Sequence, residues 1–513
     1  MTSDVLPGKL DSALYGYLAL VQSEFQKGKE EAGFQGRLRL MLTEEQLLLR
    51  LVERVEQTKE FSELAKATAL DYREDEFESR IGGEWESHVR NYFRLSDLYM
   101  SLFNGRVQPV SEVVERYRAA FRARYHNVTH LVPLEFVDFS EDALDCEGFQ
   151  IRRFSREDLD AVFRNAVKKI FYKWAYLDLA ELHQYWFLHV METRPAKEPG
   201  RTTLTFSPRV TASYSEYPEA VESALARLAL YNWDSHTFGT RATKGLQAKP
   251  DPFHGPFRPH IPFVISCSDC LIDWPRRGAD LSVLMTEPVE ELGERPTRAC
   301  TLIEQETEEL KAFMRNCSAL IGRLQPYRNQ WGFVETALGF LVKGFTAPPR
   351  PLDLPGKGGL EQLLWHITAI EAVLGQNVES GLTKLLLTRV STVLGRTKEE
   401  QKDFYKRFGS LYSFRSDLVH GNAGLASKEI YHGHLTEARN FARTIVVWML
   451  GYLGHVVEHL PGGTQTVPSR EDLLSVLDMG NESRHHTAAV LEKLPTTFPN
   501  VEDWLTPGTP RKP

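Results

Sequence analysis

The sequence predicts an α+β protein with three parts: a mixed α/β N-terminal region over residues 1–300, an all-α helical bundle over 301–460, and a C-terminal extension over 461–513. Three observations carry this. Apolar residues recur at helical spacing from Leu302 onward, and again through the first third of the chain. Between them, from His130, the period shortens towards two, which places a sub-boundary near 130. Residues 194–300 scatter Pro, Gly, His and Trp among short apolar runs such as Ile261-Pro-Phe-Val-Ile, and read as irregular.

Taken in order, Leu10, Leu14, Leu18, Val21 and Phe25 share one helix face. Arg37–Met41 alternates like a strand. Thr43-Glu-Glu-Gln46 is a capping box, so a helix follows through Leu47, Leu48, Leu51 and Val52. A further helix is expected over Ser111–Tyr125. Val132–Phe139 and Gly148–Arg152 read as short strands around an acidic turn. Ser155-Arg-Glu-Asp158 opens a helix through Leu159, Val162 and Phe163. In the bundle, Ile303, Leu310, Met314, Cys317, Ile321 and Leu324 form one face, and a second helix spans Trp331–Phe345. The stretch Thr346–Gly359 is too rich in Pro and Gly for regular helix. Helices are then expected at 360–375, 381–395, 398–420 and 428–458, the third opened by the capping box Thr397-Lys-Glu-Glu400. The tail from Pro461 has two short helical patterns before a Pro-rich end that reads as disordered.

A length of 513 residues, 42% hydrophobic and 11% aromatic, suits a globular protein of two to four domains. No run of about 18 apolar residues occurs, so no membrane span is expected. The first residues lack the basic-then-apolar order of a secretory signal, and five cysteines make no disulfide framework; both fit a reducing cytoplasm. The net charge of −8 argues against a protein that coats nucleic acid over a whole face. Residues 360–460 carry eleven Lys or Arg against ten Asp or Glu, a balance of +1, which leaves room for a cleft that grips a few phosphates. No P-loop, dinucleotide G-x-G-x-x-G, H-E-x-x-H or G-x-S-x-G occurs, which removes the commonest enzyme classes.

The most informative stretch is Tyr412-Ser-Phe-Arg415-Ser-Asp417-Leu-Val-His420-Gly421. It sets an arginine and a histidine at R-x4-H spacing just before a glycine, late in an all-helical segment. Upstream, Leu360–Gly375 carries the acidic Glu371 before an apolar pair, and a long closing helix follows the motif. In motif and in order of parts, residues 300–460 resemble the HEPN superfamily, and within it the Apea-like branch. That resemblance implies a metal-independent, homodimeric endoribonuclease with a composite site, and a bacterial defence role in which a phage-derived trigger, sensed by the N-terminal region, unleashes RNA cleavage. Some members of the superfamily only bind nucleotides or assemble, so a non-catalytic module is the alternative that the resemblance also implies. Active relatives often carry Asn, Asp or His after the arginine; here the position is Ser416.

The residue types fit the chemistry. RNA carries its own nucleophile, the 2′-OH. A histidine can take that proton or protonate the leaving 5′ oxygen. An arginine matches two phosphate oxygens at once and offsets the charge that develops on them. No cofactor and no metal are called for. Gly421 suits the left-handed residue that ends a helix. His420 would then lie at the negative end of the dipole with Asp417 one turn back, both of which favour imidazolium. Bland alternatives stand beside these: Arg415 and Asp417 as a solvated pair, His420 as a cap for helix-end carbonyls. Glu371 is either a partner for Arg415 or a helix-surface glutamate. Asn422 either contacts phosphate or turns the chain.

Two other patterns mix basic and aromatic residues: one with Arg118 and Arg122 beside Tyr117 and Phe121, the other with Lys169 and Lys173 beside Phe171 and Tyr172. Either contacts RNA or is a helix with an aromatic core face. Cys267 and Cys270, with Cys300 and Cys317, lack the second close pair of a zinc site, although His254 and His260 lie near.

Helical geometry generates the first prediction. Five residues turn a helix so that His420 stands ~140° around the axis from Arg415 and ~7.5 Å along it. One helix cannot bring the pair together, whereas two copies about a two-fold axis can. A homodimer or a higher even-numbered oligomer, joined through the 302–460 helices, is the expected state; light scattering at micromolar concentration checks it, and a monomer alone would exclude the composite site.

Overall fold

The computed structural model describes residues 8–35, 44–72, 82–96, 98–106, 109–135, 137–158, 185–195, 217–233, 238–240, 258–259, 265–268, 298–346, 360–376, 381–419, 428–460, 467–479, 489–490 and 492–493. The Arg37–Met41 strand, Thr43 of the first capping box, the helix through Leu159 and the stretch 347–359 lie outside them.

Six helices come first: α1 (Lys9–Gln35), α2 (Glu44–Val55), α3 (Lys59–Asp71), α4 (Gly82–Leu95), α5 (Leu98–Phe103) and α6 (Val110–Arg122). They enclose their own core, in which Leu10, Leu14, Leu18, Val21 and Phe25 all face inward. The core is aromatic and holds a polar thread. Tyr17 and Tyr99 share a 2.6 Å hydroxyl contact, and Tyr99 donates to Glu56, whose carboxylate also takes Arg94 Nε at 2.8 Å. Tyr117 pairs with Thr68 at 2.7 Å. The last of these helices ends at Arg122, three residues short of the expected Tyr125, because the chain turns extended at Ala123.

Strands follow: β1 (Tyr125–Glu135), β2 (Val137–Phe139), β3 (Ala143–Cys146), β4 (Phe149–Arg153) and β5 (Trp186–Pro195). Helix α7 (Glu219–Leu230) comes next, and then β6 (Phe238–Thr240), β7 (Arg258–Pro259), β8 (Ile265–Ser268) and β9 (Arg298–Leu302). One antiparallel sheet runs β3-β4-β5-β1, with β7 and β8 both pairing with β1. A smaller sheet runs β2-β9-β6, with β2 parallel to β9. The Ser155 N-cap forms as read, with the Asp158 amide donating to Ser155 Oγ at 3.0 Å, and Asp158 answers it by accepting from the Ser155 amide at 3.3 Å.

The bundle comprises α8 (Glu304–Leu324), α9 (Gly332–Thr346), α10 (Leu360–Leu374), α11 (Leu382–Leu394), α12 (Lys398–Val419) and α13 (Lys428–Glu458), followed by α14 (Arg470–Asp478). The fold is therefore α+β, with helices dominant. Within α8, Leu310, Met314, Cys317 and Leu324 are buried as expected, but Ile303 sits at the N-cap, 59% exposed. Helices α9 and α10 approach closely at Gly344, where an added Cβ would stand 2.8 Å from the buried His366 ring.

One expectation needs correction. Residues 194–300 are not wholly irregular, since they contain α7. Across residue 300 the apolar core is continuous: a single cluster runs from Val132 through α7 and the bundle to Val490. Polar contacts cross the same point. Arg227 of α7 donates to Ser318 at 2.7 Å and to the Glu147 carbonyl at 2.8 Å. Lys311 of α8 pairs with Glu141 at 2.8 Å. The buried Arg443 of α13 donates to the Tyr231 carbonyl at 3.2 Å and also bonds Asn440. The C-terminal extension is tied in too. Arg389, 1% exposed, reaches the Leu374 carbonyl at 2.8 Å, Gln376 at 2.8 Å and Asp478 at 2.7 Å. Among the described residues no helix is long and apolar enough to cross a membrane.

Arg389→Ala strands those acceptors in or near the core and should cost about 2–3 kcal/mol in urea unfolding, the scale for charged hydrogen bonds lost together. Alkali supplies a second test. Burial pushes Tyr17, Tyr99 and Tyr117 well above their ordinary range. A raised folded pKa means stability that is complete below the unfolded value of about 10 and is lost as pH climbs above it. The transition of the N-terminal core should accordingly fall steeply above pH ~10, a slope that Tyr17→Phe reduces.

Candidate functional site

Helix α12 is aimed by its two ends. At the start, the Glu400 amide donates to Thr397 Oγ1 at 3.2 Å and Glu400 Oε2 takes the Thr397 and Arg396 amides at 3.0 and 2.7 Å, which is the reciprocal box that the sequence announced. Phe404, Phe408, Leu411 and Tyr412 then bury one face. Arg407 pairs with Glu437 of α13 at 2.7 Å, and Phe414 stacks on His434 of α13 at 4.2 Å.

On this base α12 carries Arg415 to α10. Arg415 Nη2 lies 3.7 Å from Glu371 Oε2, with side chains 28% and 23% exposed. Of the two readings open for Glu371, the structure has the partner of Arg415. The other Glu371 oxygen accepts from the Tyr412 hydroxyl at 2.7 Å. The Tyr412 ring lies under the guanidinium, 5.6 Å from centroid to Cζ. Burial first, and the bond to Glu371 second, push the Tyr412 hydroxyl up to about 12, so it stays a donor. Arg415 Nε is buried with no acceptor among the described residues. Arg470 of α14 fastens the far side, donating to the Ala372 and Gly375 carbonyls, each at 2.6 Å. A half-buried guanidinium, loosely countered by one carboxylate on a rigid base, can receive a phosphate at modest desolvation cost.

The other sequence-predicted residues fall as follows. Ser416 is half-buried and Asp417 exposed, both on the last turn of α12. His420, Gly421 and Asn422 lie beyond its last residue, Val419, outside the described residues. Lys169 and Lys173 lie outside as well. Arg118 and Arg122 sit on α6, whose aromatic partners Tyr117 and Phe121 are core. Arg118 pairs with Asp11 at 2.8 Å, and Arg122 lies over the Tyr72 ring at 5.9 Å. Cys267 and Cys300 stand on strands of different sheets, and burial pushes the Cys317 thiol up to about 12. Cys270, His254 and His260 lie outside the described residues.

Two groupings escaped the sequence reading. Tyr412, three residues before Arg415 and so on its face, is one; the spacing was the available signal. His455, Glu458 and His459 at the end of α13 are the other, with ligand atoms within 4.8 Å of one another. Lys493 occupies the cation's place there, 3.1 Å from His455 Nδ1 and 3.3 Å from Glu458 Oε2, while Arg323 takes Glu458 Oε1 at 3.0 Å. Burial opposes ionisation of Glu458, yet these two cations hold its carboxyl below the usual range, as in an ion-pair network.

No family model matches the chain, and no curated protein and no solved structure matches it.

Proposed function

We propose that the chain is a metal-independent endoribonuclease of the HEPN type, an Apea-like effector of bacterial antiviral defence acting as a homodimer. The observation that carries the proposal is the Arg415–Glu371 pair: the arginine of the R-x4-H motif is drawn onto the acidic residue of α10, two helices earlier in the bundle, at 3.7 Å. In the sequence His420 is the next residue after Val419, the last of α12.

In the proposed reaction the 2′-OH attacks the adjacent phosphorus and the 5′ oxygen leaves, which yields a 2′,3′-cyclic phosphate and a 5′-OH. His420 moves the proton, taking it from the nucleophile or giving it to the leaving oxygen. Arg415 turns its fork to the non-bridging oxygens as charge builds on them. Ser416 offers a hydrogen bond to the same phosphate. A second copy supplies the second histidine, so that one serves as base and the other as acid. DNA lacks the nucleophile and is inert.

Cleavage should persist undiminished in excess EDTA and leave cyclic-phosphate ends. Arg415→Ala should remove ~3–4 kcal/mol of transition-state stabilisation, and His420→Ala a rate factor of ~10²–10⁴. Both should leave the fold and oligomer intact. The double mutant should be little worse than either alone, because the groups act together. Arg415→Lys should fail, since an ammonium cannot copy the fork. A folded, dimeric His420→Ala protein cutting at the normal rate would remove His420 from the mechanism, whereas a wild type that binds RNA without cutting it would leave a non-catalytic binding module as the surviving assignment.

A further inference from the structure

We propose that Tyr412 is a positioning residue for Arg415: by holding one oxygen of Glu371, it keeps that carboxylate from closing on the guanidinium and leaves the fork free for phosphate. This rests on the ribonuclease assignment above and deepens it.

Tyr412 touches both members of the pair. Its hydroxyl donates to Glu371 Oε1 at 2.7 Å, and its ring lies 5.6 Å from Arg415 Cζ. The Tyr412 bond fixes how the Glu371 carboxylate is turned, and in that orientation its closest approach to the arginine is Oε2 to Nη2 at 3.7 Å, longer than a hydrogen bond. A carboxylate free at both oxygens would instead make the two parallel bonds that guanidinium and carboxylate prefer. Those bonds would occupy the donors that a phosphate requires. The tyrosine is well placed to prevent this. It is 9% exposed, seated on Phe408, and its hydroxyl stays protonated throughout the ordinary pH range. The backbone of Glu371 cannot easily shift to compensate, because Arg470 grips the carbonyls at 371, 372 and 375. Among the described residues Arg415 Nε has no acceptor, so Glu371 does not engage the whole guanidinium.

Three full-length variants test this: Tyr412→Phe, Glu371→Gln and the double mutant. Two readouts are used, cleavage of RNA and affinity for 2′-O-methyl RNA, which keeps the phosphates but lacks the nucleophile. Tyr412→Phe should lower kcat/KM, and weaken binding of the 2′-O-methyl probe, by about tenfold, the scale of one redirected hydrogen bond. In the Glu371→Gln background the same change should matter less than ~2-fold, because a neutral amide does not close on Arg415. A tyrosine that only packs would cause equal losses in both backgrounds, and that result, or no loss in either, overturns the proposal. If the wild type binds the probe but cuts no RNA, and the Tyr412 effect still depends on Glu371, the ribonuclease assignment falls while the positioning role stands. If the wild type neither cuts RNA nor binds the probe, both fall.

Discussion

Helix α13 is the constraint on which the rest of the larger unit depends. Between Phe441 and Leu453 it is buried on every side, with Phe441, Ala442, Ile445–Leu450, Tyr452 and Leu453 all in the core. A helix buried all round needs neighbours all round, and α7 to α12 supply them. The cost is polar: Arg443, in the middle of the run, is 2% exposed and must find acceptors inside. It finds the carbonyl of Tyr231, at the end of a helix more than two hundred residues earlier. A sequence-distant helix thus becomes part of the bundle.

The same burial decides where the candidate site can form. Helices α10 and α12 both pack near α13, and so their polar residues meet only at the rim, where Glu371 and Arg415 retain 23% and 28% exposure. Deeper, the pair would pay full desolvation; further out, solvent would screen it. Tyr412 straddles the two environments, ring inward and hydroxyl on the carboxylate, which suits an amphipathic side chain at such a rim.

Legibility in the sequence followed burial. Helices with one apolar face, such as α1 and α8, announced themselves by period, and Thr397–Glu400 and Ser155–Asp158 marked helix starts by chemistry that needs no tertiary context. Helix α7 did not. Its polar face is narrow, with Glu219, Ser223 and Arg227 beside the buried Val221, Ala224, Leu225, Ala226 and Leu228, and Pro218 stands where a capping side chain would, so no capping signal marks its start. Ile303 was read onto the buried face because it is apolar, but it precedes the first helical turn, where side chains splay outward. The Arg415–Glu371 pairing was readable as one of two choices, since a carboxylate among apolar neighbours wants a cation. Tyr412 was not, because a tyrosine on an apolar face looks like core until its hydroxyl is seen to reach a partner.

The parallel pairing of β2 with β9 joins Val137 to Cys300, and Arg443 joins α13 to Tyr231, so the larger unit closes contacts across most of its length. The first six helices close theirs locally, within residues 10–121. On a ribosome that adds ~5–20 residues per second, the two halves mature on different clocks. The helical front can settle while the rest is still being made. The unit bearing Arg415 must wait until α13 has emerged, so a nascent or truncated chain exposes the front alone and carries no assembled site.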